Sequence, residues 1–203
     1  LESGWEICQG AYEAIHTLCE DLQSPTIVEF GSGIGTERLA PLGVVFSIEH
    51  DSNWILDYDG VQYIHAPLVE IEPIPSFDHN QWYDADIVFE MLPDSFDIIL
   101  VDGPPGSIGR SGLLLHLDRF PKDCIWLIDD TLRPDEGRLS DHIAVSGSMY
   151  QYRFWNFSIL STKPIDVERL EKIRAGSLSA LSRESVERIR LFYPAFRVQE
   201  AFQ

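Results

Sequence analysis

Residues 26–35 read TIVEFGSGIG, an apolar and β-branched run that carries one acid, Glu29, and then breaks into glycines at 31, 33 and 35. Such a segment predicts a buried parallel strand over Thr26–Phe30 that releases into a tight turn, where the missing Cβ atoms let the backbone approach a ligand. The glycine spacing separates ligand classes. A dinucleotide turn needs G-x-G-x-x-G, whose third glycine packs helix against strand around a pyrophosphate at the helix N-terminus. Here the pattern is G-x-G-x-G, and Thr36 stands where that third glycine belongs. Glu29 beside the turn also suits a positively charged ligand better than a pyrophosphate. A glycine-rich turn with no ligand is the alternative reading of the same residues.

An acid followed by x-G-x-G-x-G at the end of a first strand, EFGSGIG here, resembles the first motif of the class I S-adenosylmethionine-dependent methyltransferases. The resemblance implies that Glu29 helps to position the amino acid portion of the ligand, usually through water. It also implies that Gly31, Ser32, Gly33 and Gly35 pass beneath the methionyl and ribose parts. A second apolar run, Val44 to Ile48, ends in Glu49, 18 residues after Gly31, near the roughly 20-residue spacing of an acid that binds ribose hydroxyls. That spacing fits NAD as well as S-adenosylmethionine, so the glycine pattern decides between them. Glu49 also reads as a solvated strand-end acid, and His50 or Asp51 as a helix cap; His50 is kept with Glu49 as a candidate ligand contact. A third strand is predicted over Val61–His65, and the resemblance puts Ala66 and Leu68 beside the adenine ring.

The segment FDIILVDGPPG, residues 96–106, is the second strong signal. Ile98 to Val101 form an uninterrupted apolar run, as in a strand covered on both faces, and Asp102 stands where it opens into a loop. A fifth strand, Cys124 to Ile128, ends in Asp129 and Asp130. Ligands of open α/β sheets bind beyond the carboxyl ends of the strands, so these acids face one crevice with Glu49. Gathered carboxylates raise each other's pKa unless a cation accompanies them. Catechol-type and caffeoyl-coenzyme-A-type O-methyltransferases hold magnesium or calcium with an Asp after the fourth strand and an Asp-Asn pair after the fifth. The resemblance therefore implies a metal set of Asp102, Asp129 and Asp130, with Asp130 in place of the Asn. VDGPPG with a following arginine, then an Asp-Asp pair and another arginine, is more similar to a less characterised branch of class I methyltransferases, over about residues 26–162. Asp102 and Asp130 are the catalytic candidates, as metal ligands or as a general base.

The remaining constraints concern partners. Fifteen Lys and Arg face 33 Asp and Glu, a formal net charge of -18, which disfavours a nucleic-acid substrate because phosphate binding needs clustered cations. A small-molecule acceptor fits, and Arg110 and Arg133 near the crevice leave room for an anionic one. Cys8, Cys19 and Cys124 make no complete disulfide framework and no metal spacing, and Cys8 and Cys19 are expected in the core. No apolar run approaches a membrane span and no signal peptide is legible, so the cytoplasm is the expected location. An oligomer is compatible with everything in the chain.

Ile7, Ala11, Ile15, Leu18 and Leu22 predict an amphipathic helix before the first strand, with Trp5 near its start. Residues 67–83 read as a proline-broken, aromatic-rich connection suited to a lid, with His79 as a possible base or a solvated loop histidine. Helices are expected over Asp84 to Leu92, through LLLHLDRF with a core His116, and over residues 135–146. A hairpin over Tyr150–Trp155 and Phe157–Ser161 resembles the pair that class I methyltransferases place at the sheet edge. Residues 166–192 predict helices separated at Gly176 and Ser177. The expected architecture is a Rossmann-like, doubly wound α/β domain over 1–163. It has a mostly parallel seven-stranded sheet, helices on both faces and a C-terminal antiparallel pair, followed by a helical extension over 164–203. The expected activity is transfer of the methyl of S-adenosylmethionine to a small-molecule acceptor, with oxygen as the favoured nucleophile. An NAD-linked oxidoreductase is disfavoured by Thr36 and by the lack of a Tyr-x-x-x-Lys, and a noncatalytic binding protein stays open.

Overall fold

The computed structural model describes residues 7–179. Strands β1 (Thr26–Phe30), β2 (Val44–Glu49), β3 (Val61–His65), β6 (Ile98–Val101), β7 (Ile125–Ile128), β8 (Tyr150–Arg153) and β9 (Ser158–Ser161) form a seven-stranded sheet in the order β3-β2-β1-β6-β7-β9-β8. The pairs from β3 through β7 are parallel, and β9 runs antiparallel to both β7 and β8. Side chains alternate across each strand, so one apolar run serves two layers. Ile98 and Leu100 enter one core with Ile27 and Leu127, while Ile99 and Val101 enter the other with Val28 and Ile128. Double burial explains why the central strands read as unbroken apolar runs, and why the edge strand β8 does not.

Helix α1 (Gln9–Cys19) covers the first face with Ala11, Ala14, Ile15 and Leu18, all buried. Helix α4 (Val167–Ser179) packs on its outside: Ile173 is fully buried, and Arg169 and Lys172 pair with Asp21 and Glu20. On the other face lie α2 (Ala85–Met91), a 3-10 segment at Ser111–Arg119 and α3 (Pro134–Ser146), which contribute Val88, Leu113, Leu139 and Ile143. Asp84 caps α2 by accepting from the backbone N–H of Asp86 and Ile87. No helix among the described residues is long and apolar enough to cross a membrane.

Several expectations are corrected. The connection over 67–83 is not an open aromatic lid: β4 (Leu68–Glu70) and β5 (Gln81–Tyr83) pair as a small antiparallel sheet. Trp82 and Tyr83 are fully buried, because two large rings in a half-polar segment gain more from the core than from the rim. His116 lies in a kink, with φ -128°, of a 3-10 segment, and its half-buried ring stacks on Trp82 at 5.0 Å. Helix α4 continues through Gly176 and Ser177 rather than breaking there. The expected helix over Val186, Ile189 and Phe192, and Trp5, lie outside the described residues.

Candidate functional site

Strand order reverses at β1, which has β2 on one side and β6 on the other, and the loops leaving β1 and β6 therefore diverge around a crevice. A cleft of about 800 Å³ opens there, walled by the carboxyl ends of β1, β2, β6 and β7 and by the start of α3. Its floor is a backbone contact. Gly31 has φ +95°, and a Cβ on it would lie 2.6 Å from the Gly103 nitrogen; a Cβ on Gly103 would lie 2.5 Å from the Gly31 Cα. Neither residue admits a side chain without moving a strand.

The amides of residues 31–33 in the glycine turn are consumed inside the protein. Gly31 N–H donates to the Ile48 carbonyl at 2.9 Å, Ser32 N–H to Glu49 Oε2 at 2.9 Å and Gly33 N–H to Thr36 Oγ1 at 2.9 Å. Glu49 Oε1 also accepts the N–H groups of His50 and Asp51, at 2.7 and 2.8 Å. The single 3-10 turn that follows, Ile34–Arg38, is too short to present an extended helix N-terminus and carries Glu37 in it. Glu29 is 2% exposed, and its Oε2 accepts the hydroxyls of Thr36 and Ser47. Burial pushes its carboxyl up to about 7; the two hydroxyls pull the other way, and Glu49 adds repulsion.

The opposite wall is built around Arg110, itself 4% exposed. Its Nε donates to the Pro104 carbonyl at 3.2 Å, and its Nη1 to those of Val101 and Asp129 at 3.3 and 3.1 Å. Nη2 donates to the Asp102 carbonyl, to Asp102 Oδ1 at 3.3 Å and to Asp130 Oδ2 at 3.0 Å. One guanidinium thus ties the ends of β6 and β7 together. Asp130, at φ +62°, is held from the other side by Arg133 Nη1 at 2.8 Å. Asp129 turns away toward α1 and accepts the Cys8 N–H at 3.3 Å and its thiol at 3.4 Å. Burial, then Asp130, pushes the Asp129 carboxyl up to about 6. Burial and Asp129 hold the Asp102 carboxyl well above the usual range, against the pull of Arg110.

This network corrects the expected metal. Among the described residues, no group of three His, Cys, Asp or Glu side chains is placed to hold an ion. Arg110 already lies between Asp102 and Asp130, and Asp129 faces Cys8, so the three acids do not converge on one point. Oxygen-rich cages for magnesium or calcium need that convergence.

Ten of the expected residues come together in the cleft. Glu29, Gly31, Ser32, Gly33 and Gly35 line one side with Glu49 and His50, and Asp102, Asp129 and Asp130 line the other. Ala66 and Leu68 do not join them. Ala66 is fully buried and Leu68 packs against the same core, because the chain leaves β3 into the β4–β5 hairpin instead of turning over the cleft. His50 meets Glu49 Oε1 twice, through its backbone N–H and through its ring Nδ1, each at 2.7 Å. His79 is tied to Asp135 at 3.3 Å, over Gly109. Cys8, expected in the core, stands at the cleft wall. Thr36 was legible only as a broken dinucleotide motif; a mid-strand acid such as Glu29, which has to find donors, was the signal for its hydroxyl.

No protein-family model matches the chain, and no curated protein matches it. Two solved structures resemble it in shape. One is a Pseudomonas syringae protein assigned as a methyltransferase, 13% identical, with 73% of this chain and 94% of that one covered and a TM-score of 0.45. The other is an rRNA methylase from Streptococcus thermophilus, 14% identical, with coverage of 73% and 93% and a TM-score of 0.46. Likenesses this weak carry no argument about chemistry or acceptor, which rest on the residues of the cleft.

Proposed function

We propose that this chain is an S-adenosylmethionine-dependent methyltransferase acting on an oxygen of a small-molecule acceptor. One observation carries the reading: the amides of residues 31–33 already donate to internal acceptors, so this first stretch of the turn offers no donor nest to a pyrophosphate. Glu29 and Glu49 beside it favour a ligand that is neutral or positive there. S-adenosylmethionine supplies an activated methyl group on a sulfonium, and its ammonium adds a second positive charge.

In this reading Glu49 takes the ribose hydroxyls; its Oε2 accepts one N–H from the protein and keeps a lone pair. Glycines 31, 33 and 35 allow the close approach. Asp102 is the base, because its raised proton affinity suits it to take a proton from an acceptor hydroxyl. Asp130 is ion-paired to two arginines and so orients Arg110 and Arg133 rather than moving a proton. In-line positioning of acceptor and methyl supplies about 7–11 kcal/mol of barrier reduction when alignment is good. The excess of acids favours a small molecule over nucleic acid, and Arg133, half exposed at the rim, is placed to meet an acidic group on it.

Calorimetric titration with S-adenosylhomocysteine, and with NAD in parallel, tests the reading. Micromolar binding of the former alone is expected; binding of NAD instead, or of neither, overturns it. Methyl transfer to a panel of hydroxylated small molecules then separates an enzyme from a binding protein, and Asp102→Asn should abolish transfer while leaving affinity nearly intact.

A further inference from the structure

Glu29 on β1 lies in register with Ser47 on β2. Its Oε2 accepts Ser47 Oγ–H at 2.5 Å and Thr36 Oγ1–H at 2.8 Å, and Thr36 Oγ1 accepts Gly33 N–H at 2.9 Å. Thr36 N–H returns to the Gly33 carbonyl at 3.2 Å. Thr36 and Ser47 are both fully buried. A hydroxyl has one proton, so once Thr36 donates it to Glu29, its lone pairs are fixed toward the Gly33 amide. The acid therefore sets the direction of a bond it does not make. We infer that Glu29 acts on the bound ligand through Thr36, as the buried part of a relay Ser47–Glu29–Thr36–Gly33 that holds the glycine turn in its binding shape. Thr36 and Ser47 are then positioning residues for the ligand, an inference that rests on the cofactor reading above.

The relay mirrors the neighbouring acid. Glu49 grips the same turn one residue earlier, directly, through Ser32 N–H. Two carboxylates on adjacent strands thus hold consecutive amides, one by contact and one through a hydroxyl. This arrangement explains why a threonine occupies position 36: a glycine there would leave Gly33 N–H without its acceptor and Glu29 without one of its two hydroxyl donors.

Two measurements on the full chain test it. In the ligand-free protein, amide hydrogen exchange at Gly33 should rise at least about tenfold in Thr36→Val and return to within about threefold in Thr36→Ser. With S-adenosylhomocysteine as the probe, affinity should fall about 10- to 100-fold in Thr36→Val, the span of a hydrogen bond to a charged group, and recover in Thr36→Ser. The Glu29→Gln/Thr36→Val double variant should bind no more weakly than the weaker single one, because both cut one path. Gly33 protection unchanged in Thr36→Val, affinity within twofold of the parent, or additive losses in the double variant would each overturn the relay. If Thr36→Val fails to fold, Ser47→Ala is read by the same two measurements. Should the parent protein itself ignore S-adenosylhomocysteine, the cofactor reading fails, and the relay still stands or falls on Gly33 exchange.

Discussion

The two walls of the cleft solve the problem of buried acids in opposite ways. On the β1–β2 side, Glu29 is held by two hydroxyls, and Glu49 by backbone amides and the ring Nδ1 of His50 at 2.7 Å. On the β6–β7 side, Asp102 and Asp130 share a buried guanidinium. Neutral donors leave an acid able to gain or lose its proton with its surroundings; on the opposite wall two arginines bind Asp130 into the framework, while burial beside Asp129 keeps Asp102 inclined to take a proton despite Arg110. One wall is therefore suited to answer a charged ligand, and the other to hold the strand ends in place.

That contrast breaks most visibly at Arg110. Arg110→Met should destabilise the protein by about 3–5 kcal/mol in urea unfolding, because Asp102 and Asp130 lose a buried partner. A loss under about 1 kcal/mol, the scale of a surface pair, would make both walls alike. Next, Glu29 sharpens the comparison through pH. Its folded pKa, near 7, lies above the unfolded value of about 4.5, so its contribution is full below the unfolded value and is lost as pH rises through the folded one. Between pH 5 and 8, Glu29→Gln should remove about 2–3 kcal/mol of decline from the unfolding free energy, as followed by denaturant titration. Asp129, pushed up to about 6, keeps a residual decline of the same sign.

How much of this was legible beforehand follows the physics of each part. Parallel strands buried on both faces announce themselves as apolar runs, so β1, β2 and β6, with Glu29, Glu49 and Asp102 at their carboxyl ends, were readable residue by residue. Charge cancellation was not. Arg110 reaches the ends of two strands from a kinked 3-10 segment, and nothing local in GSIGRSG reports that reach. The metal expectation failed for that reason, since a cluster of acids states a need for positive charge and not its source. Ala66 and Leu68, expected beside the adenine ring by the resemblance alone, lie away from the cleft lining, and the proline-broken connection after them pairs as β4 and β5 instead of staying an open lid.

Smaller effects lie away from the walls. Asp84→Ala, which removes the cap of α2, should cost about 1 kcal/mol with no change in ligand affinity. The smallest expected effect is none at all: stripping metals with a chelator should leave the S-adenosylhomocysteine titration unchanged, and a heat restored by magnesium would reinstate an ion on the Arg110 wall.

The contact between Gly31 and Gly103 limits how this cleft can be altered. Two loops from separate strands meet there with no side chain between them, so the distance between the walls is set by main chain alone. Widening the floor by substitution is closed off, since any added carbon pushes β1 from β6 and disturbs both walls at once. Engineering for a different acceptor therefore has to work from the rim inward, at exposed positions such as Ser107 and Arg133, where a new side chain alters what enters without altering the hinge of the vessel.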